Sequence, residues 1–198
     1  MYYITELSLI GKKYKVYIND ELFCLLYKGD LKKLNIEEGK TLSENEYNAL
    51  LEMLYNRAKE RALYIIEGAY KTKKQIRDKL ADSSYPELII DKVICFLQEY
   101  NFVNDYEYAC MYIDYKSNQK SKKQIIQDLY QKGISKNDIN NAIEDKQLND
   151  EKSLKNIVQK KINSYNIEDK SELNKLYQFL LRKGYSYTDI NNILKDYL

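Results

Sequence analysis

Between Lys13 and Ile18 the chain alternates with period two, Tyr14, Val16 and Ile18 on one side and Lys13, Lys15 and Tyr17 on the other. That pattern predicts a half-buried strand. Asn19-Asp20 follows, and then a second apolar run from Leu22 to Leu26. Asn and Asp both tolerate the positive φ that a type I′ turn demands, so the pair predicts a hairpin. Ile4 to Leu9 supplies a candidate third strand. Two or three strands bury no core of their own, so this unit is expected to dock onto whatever follows.

From Ser43 onward the spacing changes to three and four, the period of a helix. Leu50, Leu51, Leu54, Ala58, Ala62, Ile65, Ile66 and Ala69 trace one apolar face of a long helix opened by Ser43 with Glu46. In such a capping box the hydroxyl accepts from an orphan backbone N–H, and the acid or amide three residues on accepts from the cap's own N–H. Thr72 with Gln75 and Ser121 with Gln124 open two shorter helices in the same way, and Asn104 with Glu107 is a looser version. Pro86, the single proline, suits the first turn of a helix running to about Tyr100.

The chain also repeats itself. Thr72-Lys-Lys-Gln-Ile76 matches Ser121-Lys-Lys-Gln-Ile125, and the same offset aligns Leu80 with Leu129, Ile90 with Ile139 and Ile94 with Ile143. Further on, the stretch from Lys132 to Ile143 matches that from Lys183 to Leu194. Gly133 and Gly184 fall where a helix ends and a left-handed residue is wanted, and Ser135 and Ser186 are placed to cap the helix that follows. The expected architecture is mainly α. It has a small N-terminal β-hairpin or sheet unit over 1–42, a long helix with a first three-helix repeat over 43–101, and further three-helix repeats over 102–148 and 149–198. Units of this size lean on their neighbours, which predicts an elongated array.

Composition removes several functions. Without histidine there is no Ser-His-Asp or Cys-His relay and no HExxH zinc site. Six isolated glycines make neither a dinucleotide fingerprint nor a P-loop, so no cofactor is expected. Cys24, Cys95 and Cys110 form no CxxC pair and read as reduced, mostly core cysteines. No apolar run approaches a membrane span and the first residues lack a signal-peptide pattern, so the expectation is a soluble, cytoplasmic chain.

The formal net charge is only +2, and any affinity for a polyanion must come from local patches. Two stand out. Lys71, Lys73, Lys74, Arg77 and Lys79 lie together with one acid among them, and Lys116, Lys120, Lys122 and Lys123 with none. Lys73-Lys74 and Lys122-Lys123 occupy first turns of helices, where the helix dipole makes a cation unfavourable by roughly 0.3–1 kcal/mol. A penalty repeated at equivalent positions points to contact with phosphates or an acidic partner, against the plainer reading of solvated lysines in a lysine-rich chain. Of the 21 tyrosines, Tyr55, Tyr108, Tyr112 and Tyr177 are spaced for packing, whereas Tyr70, Tyr115, Tyr130, Tyr185 and Tyr187 fall near helix ends and are candidates for exposure. Asp105/Glu107 and Glu144/Asp145 read as capping and surface charge.

One stretch resembles a family signature. Asn101-Phe-Val-Asn-Asp-Tyr-Glu-Tyr-Ala109, followed by Tyr112-Ile113, is similar to the central motif of the bacterial RecX regulatory proteins. Thr72 to Leu80 and Gln124 to Ile134 resemble the flanking motifs, and the hairpin resembles an extension carried by members from Gram-positive bacteria. Asn101 stands where the family has glycine, and Asn enters the left-handed region more readily than other residues with a side chain. Gln124 and Lys116 stand where arginine is common, which removes the planar fork that grips phosphate or carboxylate in two places.

The resemblance implies a non-enzymatic, monomeric negative regulator of RecA, acting in DNA repair, homologous recombination and the SOS response. It implies a protein lodged in the groove of the RecA nucleoprotein filament on single-stranded DNA, hindering ATP hydrolysis, strand exchange and repressor cleavage. Direct contact with single- or double-stranded DNA is a further possibility under it. Repeat symmetry makes Lys73, Lys74, Arg77, Lys116, Lys120, Lys122 and Lys123 the candidate contacts to partner or DNA. Two rival readings stay open: a stand-alone helical DNA-binding module, and a repeat scaffold for another protein. An enzyme working through Lys or carboxylates comes third.

Overall fold

The computed structural model describes residues 1–197. Three strands open the chain, β1 (Tyr2–Ile10), β2 (Lys13–Ile18) and β3 (Glu21–Tyr27), followed by a short helix α1 (Lys28–Lys33) and a two-residue strand β4 (Thr41–Leu42). Then come the long helix α2 (Glu44–Glu67), α3 (Lys73–Asp82) and α4 (Glu87–Glu99). The chain continues with α5 (Asp105–Lys116), α6 (Lys122–Gln131) and α7 (Lys136–Asp145), then α8 (Glu151–Lys161), α9 (Lys170–Arg182) and α10 (Tyr187–Leu194). It divides into two compact units, Met1–Val103 and a second beginning at Asn104.

In the first unit the sheet is antiparallel with order β3-β2-β1-β4. The hairpin forms as the sequence predicts: Asn19 and Asp20 have φ of 51° and 70°, both positive as a type I′ turn requires. A bulge between Ile4 and Glu6 shifts the register so that Leu7 lies opposite Val16, keeping it on the face that carries Ile4 and Ile18. Ile4, Val16, Cys24 and Leu26 are fully buried and share one core with Leu50, Leu54, Ala58 and Ala62 of α2 and with Ile89, Ile90, Val93 and Leu97 of α4. The sheet thus docks on the helices because its single apolar face has no other cover.

Two elements carry no periodic signal and were not expected. β4 extends the sheet to a fourth strand, pairing with Tyr2 and Tyr3. Helix α1 is too short for a helical period and is held by one residue, Asp30, which is buried. Its carboxylate accepts from the Tyr27 backbone N–H at 2.9 Å and from both terminal nitrogens of Arg57 at 2.7 and 2.6 Å.

The helix starts follow the capping residues. Ser43, Thr72 and Ser121 form reciprocal boxes with Glu46, Gln75 and Gln124, and Asn104, Ser135 and Ser186 cap α5, α7 and α10. Pro86 is the residue just before α4. Ala69 lies past the end of α2 and is exposed, so the apolar face of that helix stops at Ile66. The cysteines divide: Cys24 is buried, with its thiol pushed up to about 12 by desolvation, Cys110 is half-buried and Cys95 is exposed, so core packing explains only the first. Asp105 is also buried, not the surface carboxylate its position suggested.

Among the described residues six connections end their helix in the same way. The N–H two residues past the cap reaches back to the carbonyl five residues earlier, in Ile36 to Leu31, Tyr85 to Leu80, Phe102 to Leu97, Ile134 to Leu129, Leu148 to Ile143 and Tyr185 to Leu180. This Schellman-type closure needs a left-handed residue. Gly133 and Gly184 supply it at φ 82° and 93°, whereas Asn35, Ser84, Asn101 and Gln147 supply it at φ 52°, 59°, 57° and 48° at a steric cost. Gln147→Gly is therefore expected to stabilise the second unit by about 0.5–1 kcal/mol, read from the urea midpoint at unchanged slope.

Candidate partner-binding surfaces

The two lysine pairs lie in the first turns of α3 and α6, as expected. Their caps, Thr72 and Ser121, are fully buried, so each pair projects from a rigid start rather than a fraying one. Basic candidates elsewhere differ in how far neighbouring acids neutralise them. In the first unit Arg77 bridges Glu87 and Asp91 on α4, and Lys74 pairs with Asp78 one turn on at 3.2 Å. The first is a structural tie between α3 and α4, and its charge is largely spent. The second joins two side chains more than half exposed, contributes at most a few tenths of a kcal/mol, and leaves Lys74 available to a partner. Lys73 is half-buried.

In the second unit Lys122 donates its backbone N–H to Asp150 at 2.5 Å, so a carboxylate from the start of α8 caps α6. Ser121 is held from the same side: its hydroxyl accepts from Gln124 N–H at 3.2 Å and donates to the Lys183 carbonyl at 2.7 Å. Gly184 packs against this corner so closely that a Cβ there would stand 3.0 Å from Ser121 Oγ and 3.2 Å from the Lys123 side chain. The stem of Lys123 therefore lies over the third repeat while its residue is exposed. Tyr185, expected near the surface, is buried here, with its hydroxyl 3.1 Å from Ser153 Oγ. The sequence showed Tyr185 next to a turn; only the packing of α8 against it decides its burial.

Burial raises the pKa of Asp150 above the ordinary carboxylate value, with nearby Asp189 adding to the effect. A carboxyl raised by folding favours the native state fully below its unfolded pKa, and that contribution is lost as pH rises through the folded value. The stability of the second unit should carry such a slope above pH 4, and Asp150→Asn, which keeps the acceptor and removes the charge, should flatten it in urea melts taken across pH 4–7.

A strip that sequence spacing did not reveal runs along α5 and the end of α6. Tyr108 and Tyr112 stack with centroids 6.3 Å apart, and the Lys132 ammonium sits 5.8 and 5.4 Å from the two rings. Asp128 accepts from the Tyr112 hydroxyl at 2.7 Å and from Lys120 at 2.5 Å. Burial and that carboxylate together raise the Tyr112 pKa, keeping its hydroxyl a donor. Lys116 lies 4.3 Å from the Tyr115 ring centroid. Tyr115, Tyr130, Tyr70 and Tyr187 are exposed, as expected, and Tyr55, Tyr108, Tyr112 and Tyr177 are half-buried. The strip offers cations and ring faces, with Asp128 fixing the Tyr112 hydroxyl and the Lys120 ammonium, a surface suited to phosphates, bases or acidic side chains. Its one sequence clue was Tyr108 and Tyr112 a helical turn apart; Lys132 joins them only because α6 returns beside α5.

Among the described residues no group of three or more Cys, Asp or Glu side chains is arranged to hold a metal ion, and no helix is long and apolar enough to cross a membrane. Fold and surfaces together define a protein of three tandem three-helix domains behind a small sheet, presenting basic helix starts. Family models match the helical domains in order: RecX first, second and third three-helix domains match residues 58–97, 104–143 and 149–194. The regulatory protein RecX of Clostridium tetani is 35% identical over 193 residues, covering 94% of this chain and 89% of its own. The crystal structure of RecX from Lactobacillus salivarius is 27% identical with a TM-score of 0.66, covering 73% of this chain and 97% of the other. A second crystal structure, of regulatory protein RecX, shares the fold at 21% identity and a TM-score of 0.67, covering 98% of this chain and all of the other. The chain belongs to the RecX family of regulatory proteins.

Proposed function

We propose that this chain is a negative regulator of RecA that binds the RecA filament on single-stranded DNA and inhibits its ATPase, strand-exchange and co-protease activities. The observation that carries the reading is the match of all three helical domains, in order, to the RecX domain models. The fold supports it by placing lysine pairs at the capped starts of α3 and α6, where an anionic partner relieves the local cost of a cation at a helix N-terminus. A filament of protein on DNA offers both acidic side chains and phosphates. No bond is made or broken by the regulator; inhibition follows from occupying a surface that RecA needs. The chain is taken to act as a cytoplasmic monomer.

The test is single-stranded-DNA-dependent ATP hydrolysis by the cognate RecA, titrated with this protein at fixed salt. Inhibition far below one protein per RecA monomer indicates capping or propagated filament loss, and inhibition near stoichiometry indicates groove occupancy. An unaltered rate with both proteins folded and active rejects the proposal.

A second reading, direct binding to bare DNA, is favoured by the ring and cation strip of Tyr108, Tyr112 and Lys132. It predicts tight binding to naked single strands with a steep salt dependence, whereas a filament regulator binds RecA-coated DNA better.

A further inference from the structure

A cavity in the first unit gathers cations that the sequence keeps far apart. Its walls include Lys13 at the start of β2, Tyr27 at the end of β3, Arg57 and Arg61 on α2, and Ser84 and Tyr85 in the turn between α3 and α4. It encloses about 260 Å³, room for a tetrahedral oxyanion and several waters. No Asp or Glu lines it. The nearest carboxylate in the structure's ion pairs, Asp30, is engaged by both terminal nitrogens of Arg57, which neutralises that guanidinium and fixes it as a wall. Lys13 and Arg61 supply the remaining positive charge of the lining, and Glu60, close enough to act on Tyr85, stands outside it.

The arrangement is held against local preference. Arg57 and Arg61 are one helical turn apart, a spacing at which like charges repel. Lys13 and Arg57 both approach the Tyr27 ring, at 5.1 and 6.0 Å from its centroid, which gathers two cations at one wall of the cavity. Ser84 adopts φ 59°, a conformation for which Gly133 and Gly184 serve at the equivalent helix ends. Serine carries a strain there that glycine would not, and gains a hydroxyl on the cavity wall. Tyr85 is half-buried, and burial outweighs the pull of Arg57 and Arg61 to leave its pKa raised, so its phenol stays protonated and can donate. Arg61 also borders an adjoining hollow lined by Lys71 and Lys79 and by one acid, Glu67, so that its charged lining is net positive.

We propose that this cavity binds an oxyanion of the phosphate class, with Lys13 and Arg61 as the ligating cations and the hydroxyls of Ser84 and Tyr85 as neutral donors. The phosphate comes either from a small free nucleotide or from the backbone of a nucleic acid. The site is independent of the RecA reading, because none of the seven basic candidates drawn from the sequence lines it.

The test uses the full ¹⁵N-labelled chain and inorganic phosphate titrated against chloride at constant ionic strength, read by amide shifts around Lys13 and Ser83–Tyr85. Saturable shifts are expected in the wild type. They should weaken by about tenfold or more in Arg61→Ser, whose side chain is exposed and whose loss leaves the core intact, and further in the Lys13→Ser/Arg61→Ser pair. Displacement of phosphate by a short oligodeoxythymidylate assigns the ligand to a nucleic-acid backbone, and displacement by a nucleoside monophosphate alone assigns it to a free nucleotide. Shifts that rise linearly without saturation, or that persist unchanged in the double variant with an otherwise identical spectrum, overturn the proposal.

Discussion

Asp30→Ala is expected to destabilise the first unit by about 2–3 kcal/mol, with most of the loss appearing as a lowered urea midpoint. The carboxylate makes three hydrogen bonds, one to the Tyr27 N–H at the start of α1 and two to Arg57. Removing it leaves a backbone donor unpaired beside a buried residue and strips the guanidinium of its partner. The estimate lies below that for a fully buried pair because the Arg57 side chain is 38% exposed and can turn to water. Arg57→Ala should therefore cost less than Asp30→Ala. The same pair sets an acid limb: the hydrogen bonds from Arg57 hold the Asp30 carboxyl below its ordinary value of 3.8. A carboxyl lowered by folding contributes stability above its unfolded pKa and loses it as pH falls through the folded one. Acid below about pH 4 should thus weaken the first unit while protonation of Asp150 favours the second. Equal costs for the two alanine variants, with no change in the acid limb, would show that the pair does not tie α1 to α2.

Reversing both lysine pairs, with Lys73, Lys74, Lys122 and Lys123 changed to Glu, is expected to weaken binding to the RecA filament about a hundredfold, and either pair alone about tenfold. The helix dipole itself does not oppose the change, since a glutamate in a first turn is favoured where a lysine is not. Helix content by circular dichroism should be unchanged for the Lys73/Lys74 pair. A small loss is expected for Lys122/Lys123, whose backbone and stem meet Asp150 and Gly184. The defect should narrow as salt is raised, because exposed charges are screened. Arg77→Glu should behave differently: it opposes two carboxylates on α4 and damages folding before it informs on binding. Full inhibition of RecA by the folded quadruple variant would remove these lysines from the interface.

The helices were legible because their signals are local. A Ser or Thr followed three residues later by Glu or Gln meets the unpaired N–H groups of a helix start within one turn, so α2, α3 and α6 begin where the residues say. Asn19-Asp20 similarly closes the hairpin by its own backbone preference. The repeat, too, is written in spacing: Leu80 and Leu129, and Ile90 and Ile139, are buried at equivalent points. Helix α1 and strand β4 escaped because each depends on a distant partner, Arg57 in one case and Tyr2–Tyr3 in the other.

The same division runs through the surfaces. The residues alone determined which side chains are basic, that the pairs Lys73-Lys74 and Lys122-Lys123 start helices, and that histidine chemistry is excluded. Only the tertiary structure decided that Arg77 is consumed by α4, that Tyr185 is buried against Ser153, and that Lys132 lies over Tyr108 and Tyr112. It alone brings Lys13, Arg57 and Arg61 to one cavity. Backbone caps and turns act over three or four residues and are visible in order and spacing. Charge pairing and burial depend on distance in space, and the packing that sets those distances joins residues tens of positions apart.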